Sequence, residues 1–276
     1  MAQITAADVS KLRHMTGAGM MDCKKALTEA EGDFDKAIQI IRERGQAVAN
    51  KRSDREASEG VVLASTNANG TTGIIIALKC ETDFVAKNVD FVKFAEKIIG
   101  IAIKNAPANL DALRALDFEG VSIADKIIEQ TGIIGEKIEL AYFEKIDAAY
   151  VSTYIHSDKK LATLVGFNKA GFDEQVGKDV AMQVAAMDPV AVDKDFVPQS
   201  VIEKELEIGR NQALAEGKAA ELVDKIAQGK LGKFYKDSTL LNQDFIKESK
   251  ISVKQYLQQV NKELTVTAFK RCSIKQ

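Results

Sequence analysis

At 276 residues the chain can form one large domain or two to three small ones. Its composition (46% hydrophobic, 28% charged, 3 prolines, no tryptophan) is that of a soluble globular protein, and a formal net charge of -2 excludes a general pull toward nucleic acid or anionic membrane. No apolar run is long enough to cross a bilayer, and Cys23, Cys80 and Cys272 are odd in number and far apart, which points to structural thiols in a cytoplasmic protein.

Residues 1–45 read as a compact three-helix unit. Thr5 caps the first helix, with Asp8 completing a short capping box, and Val9, Leu12 and Met15 form its apolar face. Gly17 and Gly19 break it, because glycine takes positive φ readily after a last turn. A second helix covers 21–30, and Asp33 caps a third, whose Phe34, Ala37, Ile38 and Ile41 fall at helical spacing before it stops at Gly45. Residues 46–59 are polar and highly charged without an apolar stripe, and are expected to be a linker.

The pattern then changes to strands. A β-branched run at 60–65, a turn around Asn69-Gly70 and a second apolar run at 73–80 predict a hairpin. A helix follows, with Phe91, Phe94, Ala95, Ile98, Ile99 and Ala102 on one face, ending before Pro107. The same order recurs: strands at 148–156 and 161–168 around a polar turn, then a helix carrying Val176, Val180, Val184 and Met187 that ends before Pro189. This is an internal duplication of an α+β unit. Residues 122–131 look helical and 136–144 strand-like, 198–216 and 219–235 form a helical hairpin broken at Gly217, and a helix at 253–263 precedes a closing strand at 264–269.

Few residues suggest chemistry. Residues 16–19 (Thr-Gly-Ala-Gly) follow a helix rather than a strand, and no lysine–serine/threonine pair follows them, so they read as a helix-breaking turn and not a phosphate loop. Met20 and Met21 are adjacent and cannot both face one small core; methionine suits adaptable protein-binding surfaces as well as interiors. His14 and His156 lack the convergent partners that a triad or metal site needs. The segment 82–88 (Thr-Asp-Phe-Val-Ala-Lys-Asn) stands apart. Thr82 and Asp83 supply a helix cap, yet Phe84 follows at the lip of the strand-to-helix turn, where an aromatic either folds back into a core or is held out for a partner.

Residues 15–27 (Met-Thr-Gly-Ala-Gly-Met-Met-Asp-Cys-Lys-Lys-Ala-Leu) and 82–88 resemble the signature segments of the bacterial translation elongation factor Ts family. Tyr154-Ile155-His156, Met182-Gln183-Val184-Ala185-Ala186 and Phe245-Ile246-Lys247 fall in the family's order, so the resemblance covers nearly the whole chain. It implies an α+β fold: a ubiquitin-associated-like three-helix domain (1–45), a linker (46–59), a core of two duplicated subdomains with antiparallel strands (60–147, and 148–197 with 236–276) and an inserted helical hairpin (198–235) that serves self-association in many members. It also implies a guanine-nucleotide exchange factor for elongation factor Tu, a GTPase, with no covalent catalysis, no metal or cofactor of its own, and no direct nucleic-acid or membrane contact. Thr82, Asp83, Phe84 and Val85 would then dislodge the partner's magnesium. Leu12, Met20 and Met21 would touch its nucleotide domain, and His156 the rest of it. After His156 the chain has Ser157-Asp158-Lys159-Lys160 where the family commonly has glycines and an arginine, and the further C-terminal helical module of some members is not expected. Two other readings make different demands. A nucleotide-dependent enzyme needs a pocket with convergent polar groups, and a generic adaptor needs only residues 1–45.

Overall fold

The computed structural model describes residues 4–274; residues 1–3 and 275–276, the outer ends of the expected N-terminal domain and second subdomain, lie outside the described residues. The chain opens with α1 (Ala6–Thr16), α2 (Met20–Glu29) and α3 (Phe34–Lys51). Thr5 and Asp8 form the capping box, and α1 ends on Gly17 in the left-handed region (φ 74°). Val9, Leu12, Cys23, Ala26, Leu27 and Ala37 close a small core among the three helices.

The third helix does not stop at Gly45. It runs to Lys51, through the first part of the expected linker. The reason is tertiary: a Cβ on Gly132 would lie 2.4 Å from the Cα of Gly45, so two glycines let α3 pack directly on a later helix. A glycine that reads as a stop signal is thus a point of close backbone approach inside a continuous helix.

The first strand–strand–helix copy comprises β1 (Glu59–Thr66), β2 (Thr72–Cys80), a single turn α4 (Asp83–Ala86) and α5 (Val89–Asn105). The apolar face of α5 is the predicted one, with Phe91, Phe94, Ala95, Ile98, Ile99 and Ala102 buried. Short elements missed in the sequence follow: α6 (Leu110–Arg114) and a two-residue pair, β3 (Asp117–Phe118) with β4 (Val121–Ser122). Then come α7 (Ile123–Ile134), the helix that carries Gly132, and β5 (Glu139–Asp147), which joins the sheet in the order β1-β2-β5.

The second copy repeats the plan with β6 (Tyr150–Ile155), β7 (Leu161–Phe167) and α8 (Glu174–Met187). A 3-10 turn (Lys194–Phe196) leads into the hairpin of α9 (Gln199–Ala215) and α10 (Ala220–Ser238), whose helices approach closely where Gly209 faces Ala227. The chain then forms β8 (Asp244–Phe245), β9 (Glu248–Ser252), α11 (Val253–Val260) and β10 (Val266–Ser273). As expected, the closing strand pairs antiparallel with β7, giving a sheet in the order β10-β7-β6. The third strand of each sheet therefore joins the middle strand, β5 on β2 and β10 on β7, and the duplication extends to topology. By contacts the chain divides into two compact units. The first holds Ile76–Glu144 with the chain up to Leu63, and the second Ala64–Ile75 with Lys145–Ser273. No helix among the described residues is long and apolar enough to cross a membrane.

Candidate functional site

The segment that follows β2 is held by bonds from distant parts of its own unit. Cys80, the last residue of β2, is buried and its Sγ donates to the Thr82 carbonyl at 3.2 Å. Burial, helped by the nearby Glu136 and Glu59 carboxylates, pushes this thiol up to about 12, so it stays a protonated donor at neutral pH. Thr82 is the N-cap of α4: its Oγ1 accepts from the Val85 N–H at 3.4 Å and donates to Glu136 Oε1 at 2.7 Å. Its N–H donates to Glu136 Oε2 at 3.0 Å, and its carbonyl also accepts from the Ala86 N–H at 3.2 Å.

The preceding residue is held in the reverse sense. Glu81 Oε1 accepts from the Lys137 N–H at 2.6 Å and from Arg52 at 2.7 Å. The Lys137 N–H, and after it the Arg52 guanidinium, holds the Glu81 carboxyl below its ordinary range despite partial burial. Lys137 Nζ donates in turn to the Ser53 and Arg55 carbonyls at 2.8 and 3.0 Å. Residues 81–82 and 136–137 thus grip each other, and the end of α3 is tied to the same point.

What this scaffold presents is Phe84, 84% exposed. Of the two fates that local chemistry allows, the ring is held out. Asp83 is not part of the cap, which belongs to Thr82; it is the first residue of α4 and pairs with Lys87 at 2.6 Å. Val85 is partly buried and Ala86 fully, so the turn has an inner and an outer side. Val89 is exposed on the same stretch, a position that helical periodicity alone did not single out.

Met20 and Met21 open α2 with both side chains exposed, whereas Cys23, Ala26 and Leu27 further along the helix are buried. Leu12 is a correction. Expected on the contact surface, it is fully buried in the three-helix core. A groove of about 530 Å³ runs from the end of α1 to the 82–88 turn, lined by Met15, Gly17, Val85, Asn88, Phe91 and Ile133. The three-helix region and the turn therefore adjoin. His156 belongs to the other unit, where it is exposed at the end of β6 with Nδ1 3.1 Å from the Tyr154 hydroxyl. Its backbone N–H and carbonyl bond Leu161 and Lys159, which closes the turn.

A second groove in the first unit, about 540 Å³, has an apolar floor that includes Ile38, Ile41, Val48 and Ile133. Of its charged lining, Arg42 and Lys126 both pair with Glu129, at 3.0 and 2.8 Å. These charges are spent on each other and do not converge on an empty centre. Among the described residues no group of three or more His, Cys, Asp or Glu side chains is placed to hold a metal ion. The chemistry this geometry offers is recognition: an exposed ring on a rigid turn, whose complete burial against another surface contributes about 1.5–3 kcal/mol.

Comparison with known proteins agrees with the two signature segments. The family model described as "Elongation factor TS" matches residues 81–276. The chain is 52% identical to elongation factor Ts of Flavobacterium psychrophilum over 275 residues, 99% of this chain and 100% of that protein. It is 51% identical to that of Christiangramia forsetii, with the same coverage, and 51% identical to that of Porphyromonas gingivalis over 272 residues, 98% of each chain. With its turn, its duplicated core and these full-length relatives, the chain belongs to the elongation factor Ts family of translation factors.

Proposed function

We propose that the protein is a guanine-nucleotide exchange factor for elongation factor Tu, acting in the cytoplasm, and that Phe84 is the group that loosens bound GDP. The observation that carries the reading is the pairing of an 84% exposed phenyl ring with a turn fixed on its inner side. A large apolar ring held rigidly in water is matched to a cleft on another protein and pays little ordering cost when it enters. Asp83, Thr82 and Val85 shape that tip, Met20 and Met21 supply a second contact with the partner's nucleotide domain, and His156 contacts the rest of the partner.

Mg²⁺ bridges the phosphate oxygens of a bound nucleotide and neutralises their charge, so displacing its ligands weakens nucleotide binding without touching the base. The coupling is reciprocal. Whatever factor the protein takes from GDP affinity, GDP takes from the protein's affinity, about 1.4 kcal/mol per tenfold. High nucleotide then releases the exchange factor, and the cycle needs no covalent step. The α9–α10 hairpin, with Ile208, Leu214 and Leu222 exposed, serves self-association, which light scattering of the free protein tests.

The test of the central claim is stopped-flow release of a fluorescent GDP analogue from elongation factor Tu. Phe84→Ala keeps the fold and loses most of the stimulation. Release at the wild-type rate in this variant would overturn the reading.

A further inference from the structure

We infer that Glu136 is a positioning residue for exchange: its carboxylate locks Thr82 and thereby fixes where Phe84 is presented. The inference rests on the reading of Phe84 as the group that acts on the partner.

The argument starts from the size of α4. Four residues make a single turn, and a lone helical turn does not hold itself together, because nucleation fixes several dihedrals for one hydrogen bond. Its order must come from outside. The outside partner is Glu136, 54 residues away in sequence, which takes both donors of the N-cap residue with one carboxylate. Hydrogen bonds to an ionised acceptor are the stronger kind, and two to one residue fix orientation as well as distance.

The Thr82 hydroxyl has only one hydrogen. With that hydrogen committed to Glu136, its lone pairs are left to cap the Val85 N–H. The Thr82 carbonyl is occupied by Ala86 and by Cys80, so every polar group of the residue is in use. Phe84 stands two positions along a backbone with no slack at its root. Removing Glu136 frees the Thr82 hydroxyl to rotate and its N–H to seek water, and the ring then samples many directions. The partner must order it on binding, at a cost it otherwise avoids.

The second copy has a tie of the same kind. Asn168 bonds the Glu263 carbonyl and the Thr265 N–H, and Lys169 pairs with Glu263, just before β10. Tying the connection to the approach of the third strand thus belongs to the fold. What is particular to the first copy is that the tie grips the cap of the turn bearing the exposed ring.

The experiment uses the full chain and elongation factor Tu loaded with a fluorescent GDP analogue. Release rates are measured across concentrations of the exchange factor, which separates the maximal rate from the half-saturating concentration. Glu136→Ala is expected to lower the maximal rate by about tenfold, the scale of losing hydrogen bonds to a charged group. Glu136→Gln falls between, since its amide oxygen still accepts one of the two bonds. Thr82→Val removes the hydroxyl's bond to Glu136 and its cap on Val85 while keeping the N–H bond, so it too slows release, and it carries the test should Glu136→Ala unfold.

The deciding readout is the double variant. If Glu136 acts through the ring, Phe84→Ala with Glu136→Ala is no slower than Phe84→Ala alone. Multiplying losses would show a general weakening of the fold and overturn the inference. So would full-rate release by both Glu136→Ala and Thr82→Val while Phe84→Ala is slow. Full-rate release by Phe84→Ala would instead overturn the reading of Phe84 itself.

Discussion

Each strand–strand–helix copy passes from its middle strand into its helix through a short connection that carries a phenylalanine, and the two rings have opposite fates. After β2, Phe84 stands in water. After β7, Phe172 turns inward and packs edge-on against Tyr150 and Phe167, each at 5.1 Å between ring centres. Both connections are tied to the residues that lead into the third strand. The tie therefore does not decide whether a ring is buried. A receptor does: the second unit offers two aromatic rings beside its connection, whereas in the first copy the inner side of the turn is filled by buried Ala86 and Cys80. Duplication supplied one scaffold, and the neighbours of each ring left it packed in one copy and exposed in the other.

That contrast can be broken by mutation, most severely in the second copy. Phe167→Ala removes a fully buried ring and is expected to cost about 3–5 kcal/mol of stability, read by urea unfolding. Phe172→Ala removes the partly buried partner and should cost about 1–2 kcal/mol by the same measurement. An equal or greater loss on truncating Phe84 would erase the distinction between the two connections. Instead, Phe84→Ala should shift stability by no more than about 0.5 kcal/mol, as expected for a surface residue, while abolishing most exchange.

Acid sharpens the comparison in a different way. The buried face of α5 is wholly apolar, whereas α8 buries Asp179 and Gln183 among its valines. Burial alone would raise the Asp179 carboxyl, but hydrogen bonds from Lys247, Gln175 and Tyr256 hold it below its ordinary 3.8. The lowered group contributes stability above that ordinary value, and the contribution is lost as pH falls through the folded value. Titrated downward from pH 5, the second unit should therefore loosen below about pH 4, seen as rising amide exchange around Lys247 and Tyr256. In Asp179→Asn that acid step should shrink. If it is unchanged, another carboxylate sets it.

Much of this molecule is readable locally. Capping by Thr5, Asp33 and Ser122, the left-handed stop at Gly17 and the apolar stripe of α5 depend on residues within a turn or two of each other. Strands β2 and β7 are legible because strands buried on both faces need uninterrupted apolar runs. The small elements at 110–122 and 244–252 were not, because segments of two to five residues carry too little periodicity to detect. Glu136 was missed for a related reason. An acidic residue between Gly135 and Lys137 looks like ordinary surface until its partner 54 residues upstream is known.

By itself, then, the sequence determined the longer elements, their duplicated order and, through residues 15–27 and 82–88, the family. Only the tertiary structure decided the fate of the apolar residues at the edges and ends of elements. It put Leu12 in the core while leaving Met20 and Met21 outside, and it carried α3 past Gly45 because another glycine lies against it. It also left Phe84 in solvent where Phe172 found two rings to pack on. Helical and strand periodicity record the next few residues along the chain, but burial is set by whatever the fold brings from far away.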